Sequence, residues 1–235
     1  MFTPEMVSTR LMTILNSQPL SALGQLMLGY AHGAEQRHLH HRCWALDARL
    51  ADVVRKGREP AIATIRLAWW RDALAGEDLS KGQGDPLIEA WRMAGVSAIE
   101  RDFISRLITG WGALLEQESL SAEALLRFAD HRGHGFFGLL AGARSEEEGR
   151  GFGAAGALWA LWDLAGHVQD VEDASLCLDL AVRYQPLPQI NAGSSARVVR
   201  LLTLLANSDV AARRFPRGGF ELRHYFKLLL RGPFA

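Results

Sequence analysis

Two aspartates, Asp170 and Asp173, stand three residues apart in the run AGHVQDVEDA at positions 165–174. On an α-helix that spacing separates them by about 60°, close enough to share one cation. Carboxylates so placed suit Mg²⁺, which takes oxygen ligands at near-octahedral geometry and in turn holds a phosphate or pyrophosphate. The same run also reads as a helix start. Asp170, Glu172 and Asp173 would then sit in a first turn, where the macrodipole stabilises negative charge without any ligand. A third aspartate, Asp52, precedes Arg55 and Lys56 at the i,i+3 and i,i+4 spacings of ordinary intrahelical ion pairs. Asp47 lies five residues before Asp52, about 140° away around a helix, so those two cannot converge on one ion.

The histidines His38, His40 and His41 offer at most two ligands on one face, His38 and His41, and no nearby carboxylate or cysteine completes a set. They read as a solvated, histidine-rich surface. Cys43 and Cys177 are far apart and form no CxxC pair, so they are expected as small core residues. Trp69, Trp70, Trp159 and Trp162 are likewise expected in the core. Towards the C-terminus, Arg213, Arg214, Arg217, Arg223, Lys227 and Arg231 alternate with Phe215, Phe220, Tyr225 and Phe226. This basic amphipathic end can touch a membrane surface or a protein partner, or form a solvated helix face.

Positioning such groups falls to helices. The 235 residues are long enough to bury one sizeable core, and 26 basic against 26 acidic residues leave no net field to draw the chain onto nucleic acid. The start, MFTPEMVSTRL, does not read as a secretory signal. The longest apolar run, 153–162, is about half of the roughly 20 residues a membrane span requires. A cytoplasmic protein, with possible membrane association, is the expectation.

Alternating β-branched runs are missing, while Ala, Leu, Arg and Glu recur with apolar residues at three- and four-residue spacing, which predicts an all-α chain. Helices are expected over Pro4–Asn16, Pro19–Gly29, Ala34–Lys56, Pro60–Ala75, Pro86–Met93, Ala98–Glu118, Ser121–Asp130, Phe152–Leu164, Asp170–Tyr184, Ala196–Asn207 and Glu221–Leu230. In the third of these, Leu39, Cys43, Leu46, Leu50 and Val53 form one apolar stripe. GEDLSKGQGD (76–85) and SEEEGRG (145–151) read as polar turns, and Pro186, Pro188 and Gly193 interrupt regular structure. A single domain is expected.

The stretch Tyr30–Leu74, with Glu35-Gln36-Arg37, Arg58-Glu59-Pro60 and Arg66-Leu67-Ala68-Trp69-Trp70-Arg71, resembles the first half of the squalene/phytoene synthases. Where that family carries Asp-Asp-x-x-Asp, this chain reads Ala51-Asp52-Val53-Val54-Arg55. HVQDVEDA resembles the family's second aspartate motif, with Asp170 on its first aspartate and, given a one-residue deletion between them, Asp173 on its second, while Gly166 stands where the motif has asparagine. Phe128, Ala129, Gly135 and Gly138 approximate a glycine-bearing family helix that lies against the prenyl chain. The resemblance covers about Tyr30–Pro188, and the part from about 189 to 235 is the most divergent.

The resemblance implies an isoprenoid-synthase-like fold, an antiparallel helix bundle around a central apolar cavity. It implies Asp52, Asp170 and Asp173 as magnesium ligands, with Arg37 and Arg66 as contacts for a diphosphate or an anionic headgroup. The implied activity is binding, and condensation, of prenyl diphosphates. A second expectation comes from the RLAWWR block, which is similar to the branch containing respiratory-complex assembly factors. On that reading the chain is a non-catalytic member that binds a lipid or a partner protein, and the alanine and arginine at positions 51 and 55 favour it.

Overall fold

The computed structural model describes residues 20–57, 59–116, 120–185, 187, 190, 196–216 and 221–231. The helix expected over Pro4–Asn16 lies outside them. Among the described residues the regular structure is all helical: α1 (Ala22–Leu28), α2 (Gly33–Lys56), α3 (Pro60–Ala75), α4 (Pro86–Ala94), α5 (Ala98–Ala113), α6 (Ala122–Ala141), α7 (Glu146–Arg150), α8 (Gly153–Ala165), α9 (Val171–Val182), α10 (Arg197–Ala211) and α11 (Leu222–Arg231).

Local chemistry fixes most of the boundaries. Pro60 and Pro86 occupy first-turn positions, where a missing N–H costs nothing. Ser97 and Glu100 close a reciprocal capping box at the start of α5. Three expectations need correction. The helix expected to reach Glu118 stops at Ala113. The one expected to stop at Asp130 continues to Ala141, where Gly142 takes a left-handed cap. The polar turn at 145–151 holds the short α7, whose start is capped by Ser145 Oγ and carries three glutamates in its first turn.

Helix α6 is the axis of the bundle. Its glycines let neighbours approach to backbone contact: a Cβ on Gly135 would lie 2.5 Å from the Phe103 carbonyl oxygen, and one on Gly110 of α5 would lie 2.5 Å from the Arg132 nitrogen. Contact residues thus rise along α5 as they fall along α6, so the two run antiparallel. The same holds for α2, where His40 bonds the Leu140 carbonyl oxygen and Asp47 bonds Arg132. Between α2, α6 and α8 the Phe136 ring stacks on Trp159 at 4.8 Å, with Trp44 edge-on at 4.9 Å from Phe136.

Trp70, Trp159 and Trp162 are core residues as expected, and so are Cys43 and Cys177. Trp69 is not, being 40% exposed. The histidine cluster also departs from expectation, because His40 is fully buried. No helix among the described residues is long and apolar enough to cross a membrane.

Candidate functional site

One turn of α2 beyond Trp44 places Asp47 inward, and α6 presents Arg132 to it from the opposite direction. Arg132 Nε donates to Asp47 Oδ1 at 3.0 Å and Nη2 to Oδ2 at 2.6 Å, the paired geometry a guanidinium and a carboxylate favour. Nη2 also donates to Asp163 Oδ2 of α8 at 2.8 Å, and Trp111 Nε1 of α5 donates to Asp47 Oδ1 at 2.8 Å. The guanidinium carbon sits 4.5 Å from the Trp159 ring centre and 4.7 Å from that of Trp111. Four helices therefore meet on one buried arginine. Burial alone would lower its pKa, but the charges and hydrogen bonds of Asp47 and Asp163 overcome that and raise it above the ordinary guanidinium value.

This ion triad is the floor of a cavity of about 320 Å³. Its walls are mainly apolar, from Trp44, Ala48, Ala51, Val54, Leu114 and Leu164, and its remaining polar groups are Ser21, Asp52, Arg55 and His167. The expected bundle with an apolar-walled cavity is thus present, with a charged floor that the sequence did not announce.

The predicted site residues are distributed differently. Asp52 lines the cavity, but it is half exposed and paired with Arg55 and with Lys56 Nζ at 2.6 Å. The Lys56 hydrogen bond, with Arg55 behind it, lowers its pKa. Asp170 caps α9, its Oδ1 accepting the Glu172 N–H at 2.7 Å and the Asp173 N–H at 3.3 Å. Asp173 lies in that helix's first turn, the ligand-free alternative of the sequence reading. Neither Asp170 nor Asp173 lines the cavity.

Arg37 and Arg66 are exposed and also do not line it. Arg37 is fifteen residues before Asp52, about 22 Å along α2.

The donors do not fit a resident magnesium ion. Asp47 and Asp163 are bridged by Arg132, and Asp52 is held by Arg55 and Lys56, so every cavity carboxylate already has a cation. Among the described residues no group of three or more His, Cys, Asp or Glu side chains is placed to hold a metal.

Sequence reasoning missed Asp47, Arg132, Asp163 and Trp111 as a unit. One available signal was Arg132 itself, a strong cation amid the small and aromatic residues of FADHRGHGFFGLL, where a fully buried charge requires partners.

In comparison with known proteins, the chain matches no family model, and no curated protein or solved structure matches it significantly.

Proposed function

We propose that this chain is a squalene/phytoene-synthase-like scaffold that binds an isoprenoid or acyl chain of neutral head group in its cavity, without magnesium-dependent chemistry. The observation that carries this reading is the Arg132 bridge between Asp47 and Asp163. Ionising a prenyl diphosphate leaves several negative charges on the departing pyrophosphate, which carboxylate-bound Mg²⁺ would have to neutralise. Here the carboxylates of two facing helices are committed to a guanidinium whose own charge they consume. At the cavity floor a diphosphate would meet two carboxylates against one guanidinium, whereas a hydrocarbon chain finds apolar walls.

Displacement of a fluorescent acyl probe tests the reading. Farnesol should displace the probe, farnesyl diphosphate with Mg²⁺ should do so at least tenfold less well, and Ala48→Trp, which fills the exposed side of the cavity from a helical position, should abolish binding. Release of pyrophosphate from farnesyl diphosphate, or tighter binding of the diphosphate than of the alcohol, overturns it.

A specific feature of α11 favours a second reading, peripheral contact with an anionic bilayer. Leu222, Tyr225, Phe226, Leu229 and Leu230 form an outward apolar stripe, with Phe226 61% and Leu230 75% exposed. His224 and Leu228 on the other side are buried and anchor the helix. Arg223 and Lys227 border the stripe along one edge, the placement that suits an interfacial helix on acidic lipid. Sedimentation with phosphatidylglycerol vesicles should carry the protein down, and Phe226→Asp with Leu230→Asp should leave it in the supernatant; equal sedimentation of both rejects the contact.

A further inference from the structure

At the other end of α2 from the cavity, about 15 Å along the helix from Asp52, Arg42 is 6% exposed and lines a separate groove of about 840 Å³. The groove runs between the start of α2, the end of α4, the start of α5 and the end of α6, with His38, Glu100, Gly142 and Arg144 among its walls. The Arg42 guanidinium lies 5.0 Å from the Trp91 ring centre, and its Nε has no hydrogen-bond partner. No carboxylate lies within ion-pair distance of it among the described residues. Two acids, Glu35 and Glu100, line the groove, and neither is ion-paired with Arg42; Glu100 Oε2 is turned back to the Ser97 N–H at 2.8 Å and the Ser97 hydroxyl at 2.7 Å.

A buried guanidinium without a hydrogen-bonded counter-charge is costly, and an oxyanion from outside the chain would relieve that cost. Arg132, with two carboxylates, shows how this same fold treats a structural arginine. Arg42 lacks that provision and faces open space. We infer that the Arg42 groove is an oxyanion-binding site, in which a phosphoryl group pairs with Arg42 and is also met by Arg144, which lines the same groove. The ring of Trp91 holds the guanidinium plane, and its forked donors match two phosphoryl oxygens. Burial lowers the Arg42 pKa, with Cys43, Glu100 and Glu35 opposing only part of the effect. The site is separate from the cavity and does not depend on what the cavity binds.

Calorimetry on the full chain with inorganic phosphate tests this directly. Phosphate should bind, Arg42→Gln should weaken it at least tenfold and Arg144→Ala severalfold, while Arg55→Ala at the cavity mouth should leave it unchanged. Because Arg144 is exposed, its variant remains informative if Arg42→Gln fails to fold. Vesicles containing phosphatidic acid form the second arm. Retention on them but not on phosphatidylcholine, lost in Arg144→Ala, assigns the phosphoryl group to a lipid, whereas binding of free phosphate alone assigns it to a soluble compound. Phosphate affinity unaltered by Arg144→Ala, or no binding in either arm, overturns the inference.

Discussion

Arg132 and Asp47 come from antiparallel helices and meet through two hydrogen bonds, 3.0 and 2.6 Å, with both side chains removed from water. Asp163 completes the arrangement from a third helix, so one guanidinium links α2, α6 and α8 at the cavity floor. The chain thereby places a fixed, non-exchangeable cation between two carboxylates. A guanidinium can hold the helices together but cannot act as a Lewis acid, which supports the proposed binding role over magnesium-dependent chemistry.

Removing the bridge should be severe. Arg132→Met leaves Asp47 buried and Asp163 partly buried without a counter-charge, and the expected loss is about 3–5 kcal/mol of unfolding free energy. Adding Asp47→Asn and Asp163→Asn to the same chain should recover part of that loss, because the amides need no counterion. Urea denaturation of the single and triple variants reads both quantities; a triple variant no more stable than the single one would show that the carboxylates' charge was not the cause.

Contact between α6 and α8 rests on two glycines. A Cβ on Gly133 would lie 2.2 Å from the carbonyl carbon of Gly156, and one on Gly156 would lie 2.3 Å from the Gly133 oxygen. Both obstacles are backbone, which cannot rotate aside, so Gly133→Ala should cost at least the roughly 1–3 kcal/mol of an overpacked core. Gly153→Ala is the internal control. It meets nothing within 4 Å at the first position of α8 and should be neutral or stabilising by up to about 1 kcal/mol. Thermal melts of the two variants should move in different directions or by clearly different amounts.

These examples show what could be read in advance. The bounds of α2, α3 and α4 follow from the sequence where Gly57, Pro60 and Pro86 punctuate it, and punctuation is a local property. The residue pattern alone ends α6 at Asp130, and only the family resemblance places Gly135 and Gly138 in a helix; in the fold the glycines of α6 permit the backbone contact that makes it central. Along α2 alone Asp47 has no second carboxylate on its face with which to share an ion; its partner, Arg132, lies 85 residues away and no single-helix geometry could supply it. His40 reads as surface for a related reason, since the carbonyl that accepts its N–H belongs to Leu140, 100 residues on.

Asp170 distinguishes capping from ligation. Its carboxylate holds the N–H groups of Glu172 and Asp173, so Asp170→Ala should lower stability by about 1 kcal/mol, while Asp170→Asn, which caps as well, should change it little. Neither change should alter the affinity of the cavity for farnesol. Parallel chemical denaturation and probe displacement check this, and a loss of farnesol binding in Asp170→Asn would place Asp170 in the ligand site after all.

His40 gives the chain a pH dependence of definite sign. Its Nε2 lies 2.7 Å from the Leu140 carbonyl oxygen and must carry the hydrogen, while Nδ1 is buried with no partner to receive a second one. Burial lowers the pKa from 6.5 to about 4, with the Leu140 bond opposing only part of the effect. The unfolded chain therefore binds a proton more readily than the folded one, so this contribution is complete above pH 6.5 and is lost as pH falls towards 4. Between pH 7 and pH 5 the loss should be about 2 kcal/mol. Asp209 behaves differently: burial would raise its pKa, but the His224 hydrogen bond and the charges of His224, Arg223 and Lys227 hold it below the usual 3.8, so its contribution fades only in stronger acid. His38, His41 and His134 are also lowered, chiefly by burial, and share the sign of His40. The difference between the wild type and His40→Gln, whose amide can still donate to Leu140, isolates the His40 part. Unfolding free energies measured at pH 7 and pH 5 should therefore fall about 2 kcal/mol less in the variant, and identical slopes in the two proteins would show that His40 accepts a proton in the folded state without penalty.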